Sequence, residues 1–142
     1  MATSVTRLWF ARIIAIYATL IFTFRGPLYL AEPLDHIAKF GISATGSPES
    51  IAFLRVGPGA MFAFLALTAL YGLLRPRYLR TSLIVLVVFN ACVIGARLYG
   101  IVQDGATPIQ LSELRDEGLS WLLFTAALFA LPRTATATVP LR

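Results

Sequence analysis

Arg55, Asn90, Arg97, Glu113 and Glu117 carry the chemistry in this sequence, because each is polar or charged and sits within or beside a long apolar run. Glu113 and Glu117, four apart, share one helix face. Asn90 and Arg97, seven apart, share a face of another helix. An ionised side chain at a bilayer centre costs ~2.5–3.5 kcal/mol on insertion scales, so such groups turn toward a bundle interior or a wet cavity. The spacing therefore predicts that Arg55, Arg97 and one or both glutamates meet near one membrane face. Three chemistries are open to such a cluster. It can be a structural ion-pair group whose arginines reach for the interface. It can bind an anionic or amphipathic small molecule. It can be catalytic, which requires a base of matched pKa beside its substrate.

Pro58 stands near this cluster, flanked by Gly57 and Gly59. Inside a helix it deprives the Leu54 carbonyl of its donor, so a kink is expected beside Arg55. The glycines permit close backbone approach. The chain has one histidine, His36, and one cysteine, Cys92. That is too few for a dedicated zinc site or a bis-histidine haem, so no metal and no cofactor is expected. No Ser/His/Asp or Cys/His set and no Gly-rich phosphate loop is present, so the reading leans away from an enzyme. His36 reads as a surface histidine, with a pH-sensing or ligand-contacting role as the sharper alternative.

Composition says what must position these residues. Of 142 residues, 58% are hydrophobic and 13% charged, and the mean hydropathy is +0.78. Soluble domains average roughly 45–50% apolar and 25% charged. This balance excludes disorder, a coiled coil, a disulfide scaffold and almost any soluble enzyme. It predicts an all-α membrane protein: one domain, residues 1–142, forming a four-transmembrane-helix bundle. The helices are expected at about 7–25, 48–74, 80–102 and 111–132. Phe24-Arg25-Gly26-Pro27 offers no small-x-small cleavage site, so the first helix reads as retained. Ser47-Pro48-Glu49 reads as N-cap, first-turn proline and first-turn acid of the second. Arg75-Pro76-Arg77 ends it, Gly105 and Pro108 break the chain after the third, and Pro132 stops the fourth. Residues 134–142 read as a polar tail. Between the first two helices, at about 30–40, Leu30, Leu34, Ile37 and Ala38 fall on one face, which predicts a short amphipathic interfacial helix in the first outer loop.

The net charge is +5 and the pI near 10. Arg7, Arg12, Arg75, Arg77, Arg80, Arg133 and Arg142 collect on one side with no acid, while every acid lies on the other. This is a topology signal, not a nucleic-acid surface, and it puts both termini in the cytoplasm. Ala11/Ala15, Gly59/Ala63 and Ala91/Gly95 are small-xxx-small pairs, suited to tight packing within the chain or to a dimer or partner seam. Trp9, Phe10, Tyr71, Tyr78, Tyr99 and Trp121 sit mostly near helix ends, as interface anchors do.

The run from Ser47 to Arg55, followed by Gly57 and Gly59, resembles the start of helix two in a bacterial family of small four-helix integral membrane proteins of unknown function. Ala96-Arg97-Leu98, Asp104-Gly105, Pro108 and the acid Glu117 add to the likeness, which covers roughly residues 24–131. Family members usually show aromatic-Gly-Gly after the helix-two arginine, where this chain has Val56-Gly57-Pro58-Gly59. The family is distantly similar to DoxX-like proteins, some of them tied to redox or respiratory accessory roles. The resemblance implies the bacterial inner membrane and an accessory role, and transfers no activity. Together these readings point to a non-catalytic accessory or small-ligand-binding subunit, with a polar outer-leaflet site between helices two, three and four. A small transporter or permeation component, or an enzyme acting on a lipid-soluble substrate, is the alternative. The expected partners are the lipid bilayer, a membrane protein or second copy of the chain, and an amphipathic or anionic small ligand.

Overall fold

Among the described residues, prolines mostly start helices. Pro33, Pro48, Pro76 and Pro108 each occupy a first helical position, where the missing N–H has no intrahelical partner to lose. The computed structural model describes residues 2–131. They form α1 (Ala2–Ala31), α2 (Pro33–Ala38), α3 (Pro48–Leu54), a π turn (Arg55–Gly59), α4 (Ala60–Leu74), a 3-10 turn (Pro76–Tyr78), α5 (Leu79–Asp104) and α6 (Pro108–Ala130). No strand occurs among the described residues. Pro132, Arg133, Arg142 and the 134–142 tail lie outside them.

Local chemistry accounts for the ends. Ser47 accepts a hydrogen bond from the Ser50 N–H at 3.2 Å, capping α3. Thr107 and Gln110 form a reciprocal capping box: the Gln110 N–H donates to Thr107 Oγ1 at 3.2 Å, and the Thr107 N–H to Gln110 Oε1 at 3.0 Å. Each bond satisfies an N–H that a helix start leaves orphaned. α6 therefore begins at Pro108, a turn before the expected residue 111. Gly105 ends α5 with φ of 92°, a conformation glycine adopts at little cost.

α1 departs most from expectation. It continues through Gly26-Pro27 to Ala31, although the proline removes one helical hydrogen bond. Packing compensates. A Cβ on Gly26 would lie only 3.5 Å from the Ala63 backbone N, so α1 and α4 touch almost backbone to backbone. Pro58 is absorbed differently from a simple kink. The Ala60 N–H reaches the Arg55 carbonyl, five residues back, which makes the π turn. A wider turn gives the proline ring room. Gly59 packs tightly there: a Cβ would lie 3.0 Å from Leu30 Cδ2, so that side chain would have to shift slightly.

The long helices form an up-and-down ring in which α1 packs on α4 and α6, and α5 on α4 and α6. Ala11, Ala15, Ala18 and Phe22 make one buried face of α1, at helical spacing. They meet Leu65 and Ala69 of α4, Leu83 and Leu86 of α5, and Phe124 and Ala127 of α6. This core fills the half of the bundle that holds the α4–α5 turn. There a Cβ on Gly72 would clash at 2.6 Å with Ser82 Oγ, so glycine lets that hairpin close. The Arg80 Nη1 donates to the Leu131 carbonyl at 3.4 Å, tying the end of α6 to the same region. Ala91 and Gly95 differ from the other small pairs, because both face outward and nothing described lies within 4 Å of a Gly95 Cβ.

Three helical stretches are long and apolar enough to cross a membrane: Val5–Ala31, Pro48–Leu74 and Pro76–Asp104. Large apolar side chains such as Phe24, Phe53, Leu67 and Val102 stand exposed along them, far more than an aqueous surface carries in one patch. The protein is a membrane protein. α6 is 23 residues long, but Glu113, Arg115, Asp116 and Glu117 crowd its first half and keep it outside that apolar group.

Candidate functional site

Arg97 stands eight residues before Gly105, and Glu117 ten residues after Thr107. At ~1.5 Å per residue the short turn between α5 and α6 brings them to similar depth, about 12–15 Å in. They form a two-pronged ion pair: Arg97 Nε donates to Glu117 Oε2 at 2.7 Å, and Nη2 to Oε1 at 2.5 Å. The side chains are 25% and 15% exposed. The planar guanidinium matches the carboxylate in this parallel geometry, which makes it a strong form of ion pair. Each charge is neutralised by the other.

Arg55 does not join them. Its Nε donates to the Leu30 carbonyl at 2.9 Å. Leu30 lies in the last turn of α1, where carbonyls lack helical donors, so Arg55 caps α1 where the chain turns into α2. The expected convergence of both arginines therefore resolves into an Arg97–Glu117 pair and a separate backbone cap. Gly57, Pro58 and Gly59 lie in the π turn between these features, and only Pro58 of the three faces the cavity described next.

That cavity, of about 680 Å³, opens between α1, α4, α5 and α6 in the half of the bundle away from the alanine core. Its size falls within the usual range for small-molecule sites. Asn90, Arg97, Glu113 and Glu117 all line it. Ile21, Phe22, Met61, Phe62, Phe89 and Val93 supply apolar wall, and Phe40 and Ile42 beyond α2 stand at its outer end. Asn90 is 7% exposed, and its Nδ2 has no hydrogen-bond partner. A buried donor left unpaired costs about 1–3 kcal/mol.

Sequence reasoning placed the site between the second, third and fourth helices and missed the wall supplied by α1. Tyr17, Ile21, Arg25 and Tyr29 line the cavity from that helix, and their spacing of four is the signal that could have found them. It is visible only if the helix runs on through Gly26-Pro27. Aromatic rings extend this wall outward. Phe22 and Phe62 stack with centroids 6.0 Å apart, Tyr29 and Phe62 5.5 Å apart. The Tyr29 ring meets His36 edge-on at 4.3 Å, and His36 meets Phe40 at 5.6 Å. His36 thus holds α2 against the outer end of the cavity. Burial, reinforced by the Lys39 and Arg25 cations and opposed by Glu113, lowers its pKa from the ordinary histidine value and favours the neutral imidazole.

Among the described residues no three His, Cys, Asp or Glu side chains converge as metal ligands. The arrangement comprises an apolar slot, an unpaired amide donor and a charged rim.

A family model described as a domain of unknown function (DUF4345) matches residues 10–112, and the chain belongs to that family. The match runs from Phe10 in α1 through α5 to the capping box of α6, and stops just before Glu113 and Glu117. No curated protein and no solved structure matches the chain.

Proposed function

We propose that this protein is a non-catalytic subunit of the bacterial inner membrane that binds a small amphipathic molecule in the cavity beside Asn90. The unpartnered Asn90 amide carries this reading. A donor buried that deeply and left unpaired is stabilised once a bound molecule brings an acceptor oxygen. The packed alanine and leucine core closes the other half of the bundle, which favours a binding pocket over a permeation path. The accessory role, and the distant kinship with DoxX-like proteins, rest on the motifs around Arg55 and Arg97. Native mass spectrometry of protein extracted in mild detergent tests the reading. A stoichiometric small-molecule adduct is expected on the wild type and absent from Asn90→Leu. Wild-type protein without an adduct in every mild detergent would overturn it.

In this reading α6 is a fourth span. Its 23 residues reach about 35 Å, the Arg97–Glu117 pair cancels two of its region's charges, and Glu113 turns to the cavity instead of lipid. α2 is the interfacial helix of the first outer loop. The acid-free arginine side faces the cytoplasm, so both termini are inside and the cavity belongs to the outer leaflet. Single cysteines at Thr3 and Ala137, with the exposed Cys92 replaced by serine, are expected to resist a membrane-impermeant thiol reagent in intact cells. They should react once the membrane is opened. Labelling of either in intact cells would reverse the orientation.

A further inference from the structure

The cavity rim holds more charge than its ion pairs use. Glu117 neutralises Arg97, and Arg115 holds Asp116 at 2.9 Å. Arg25 from α1 and Glu113 from α6 also line the cavity, and among the described residues neither has an ion-pair partner within 4.0 Å. They face the same cavity with charges of opposite sign. The free fixed charge of this wall is thus one cation and one anion. A purely anionic head would gain from Arg25 and lose to Glu113. A purely cationic head would do the reverse. A head with both signs gains from both.

Depth adds a second requirement. Asn90 precedes Arg97 by seven residues on α5, about 10 Å farther from the α5–α6 turn. Its Nδ2 calls for an acceptor oxygen at that level. Phe22, Phe62 and Phe89 add apolar wall to the same cavity. The geometry points to a zwitterionic amphiphile as the ligand: a headgroup with one anionic and one cationic group, a carbonyl or ester oxygen beneath it, and an apolar chain. A lipid of the phosphoethanolamine type has this chemistry. The inference rests on the binding function proposed above and names the ligand class for the same cavity.

The test is a native mass spectrometry titration of delipidated protein with single-chain lipids of equal chain length. Their headgroups are phosphoethanolamine, phosphoglycerol and trimethylammonium. The zwitterionic lipid is expected to bind about tenfold more tightly than either singly charged one. Glu113→Gln should shift the preference to phosphoglycerol, and Arg25→Gln to trimethylammonium. The paired exchange Arg25→Glu with Glu113→Arg keeps both signs on the wall and should keep the zwitterionic preference, so the claim stands or falls even if a single variant folds poorly. A wild-type preference for phosphoglycerol that the charge variants leave unchanged would overturn the zwitterionic assignment while keeping the binding site. Equal, unsaturable uptake of all three lipids by wild type and Asn90→Leu would overturn both.

Discussion

Glu117→Gln is expected to destabilise the protein by about 3 kcal/mol. The change removes the carboxylate that accepts two hydrogen bonds from Arg97 and leaves the guanidinium charged. Stranding a fully buried charge costs about 3–5 kcal/mol. Here Arg97 keeps 25% exposure, so water offsets part of the loss and the low end applies. Arg97→Gln in the same background removes the stranded charge. The double variant should therefore cost clearly less than the two singles added together. Asp104→Asn is the control, because Asp104 is exposed at the end of α5 and has no ion pair among the described residues. Thermal unfolding in detergent reads all four. A double variant equal to the sum of the singles would show that the two side chains do not act as a pair.

The Arg97–Glu117 pair was legible in the sequence because two constraints agreed. Each residue lay at a countable distance from a chain break, and each carried a charge that an apolar helix must neutralise. Arg55 satisfied the same depth argument and still went elsewhere. What the sequence did not display was a backbone carbonyl at the end of α1 in need of a donor. That carbonyl exists there only because α1 runs to Ala31. One misplaced boundary therefore hid three things: the partner of Arg55, the cavity wall formed by Arg25 and Tyr29, and the seating of His36 on Tyr29. Gly26-Pro27 normally ends a helix. In this chain α1 packs against α4 at Gly26, where a Cβ would lie 3.5 Å from the Ala63 backbone N, and that packing offsets the proline's lost hydrogen bond. That is tertiary information, and local propensity cannot carry it. The opposite error occurred at Pro108. Taken as a breaker, it is the first residue of α6, and Thr107 with Gln110 spelled the capping box around it.

Asn90→Leu is expected to stabilise the ligand-free protein while abolishing its ligand, and this opposition separates a binding group from a structural one. Leucine has a similar size and no polar atom to leave unsatisfied. Removing the orphaned Nδ2 should return about 1–3 kcal/mol to the empty bundle. A structural asparagine behaves otherwise, since its replacement would break a hydrogen bond and lower stability. A bound molecule reverses the ranking for the wild type alone, because a ligand that binds only the folded state stabilises it. The decisive measurement is the melting temperature of wild type and Asn90→Leu, each before and after exhaustive lipid stripping in the same detergent. The account predicts that stripping lowers the wild type much more than the variant, and that the stripped variant melts above the stripped wild type. Equal losses on stripping, with Asn90→Leu melting lower throughout, would make Asn90 a structural residue and contradict the cavity as a binding site.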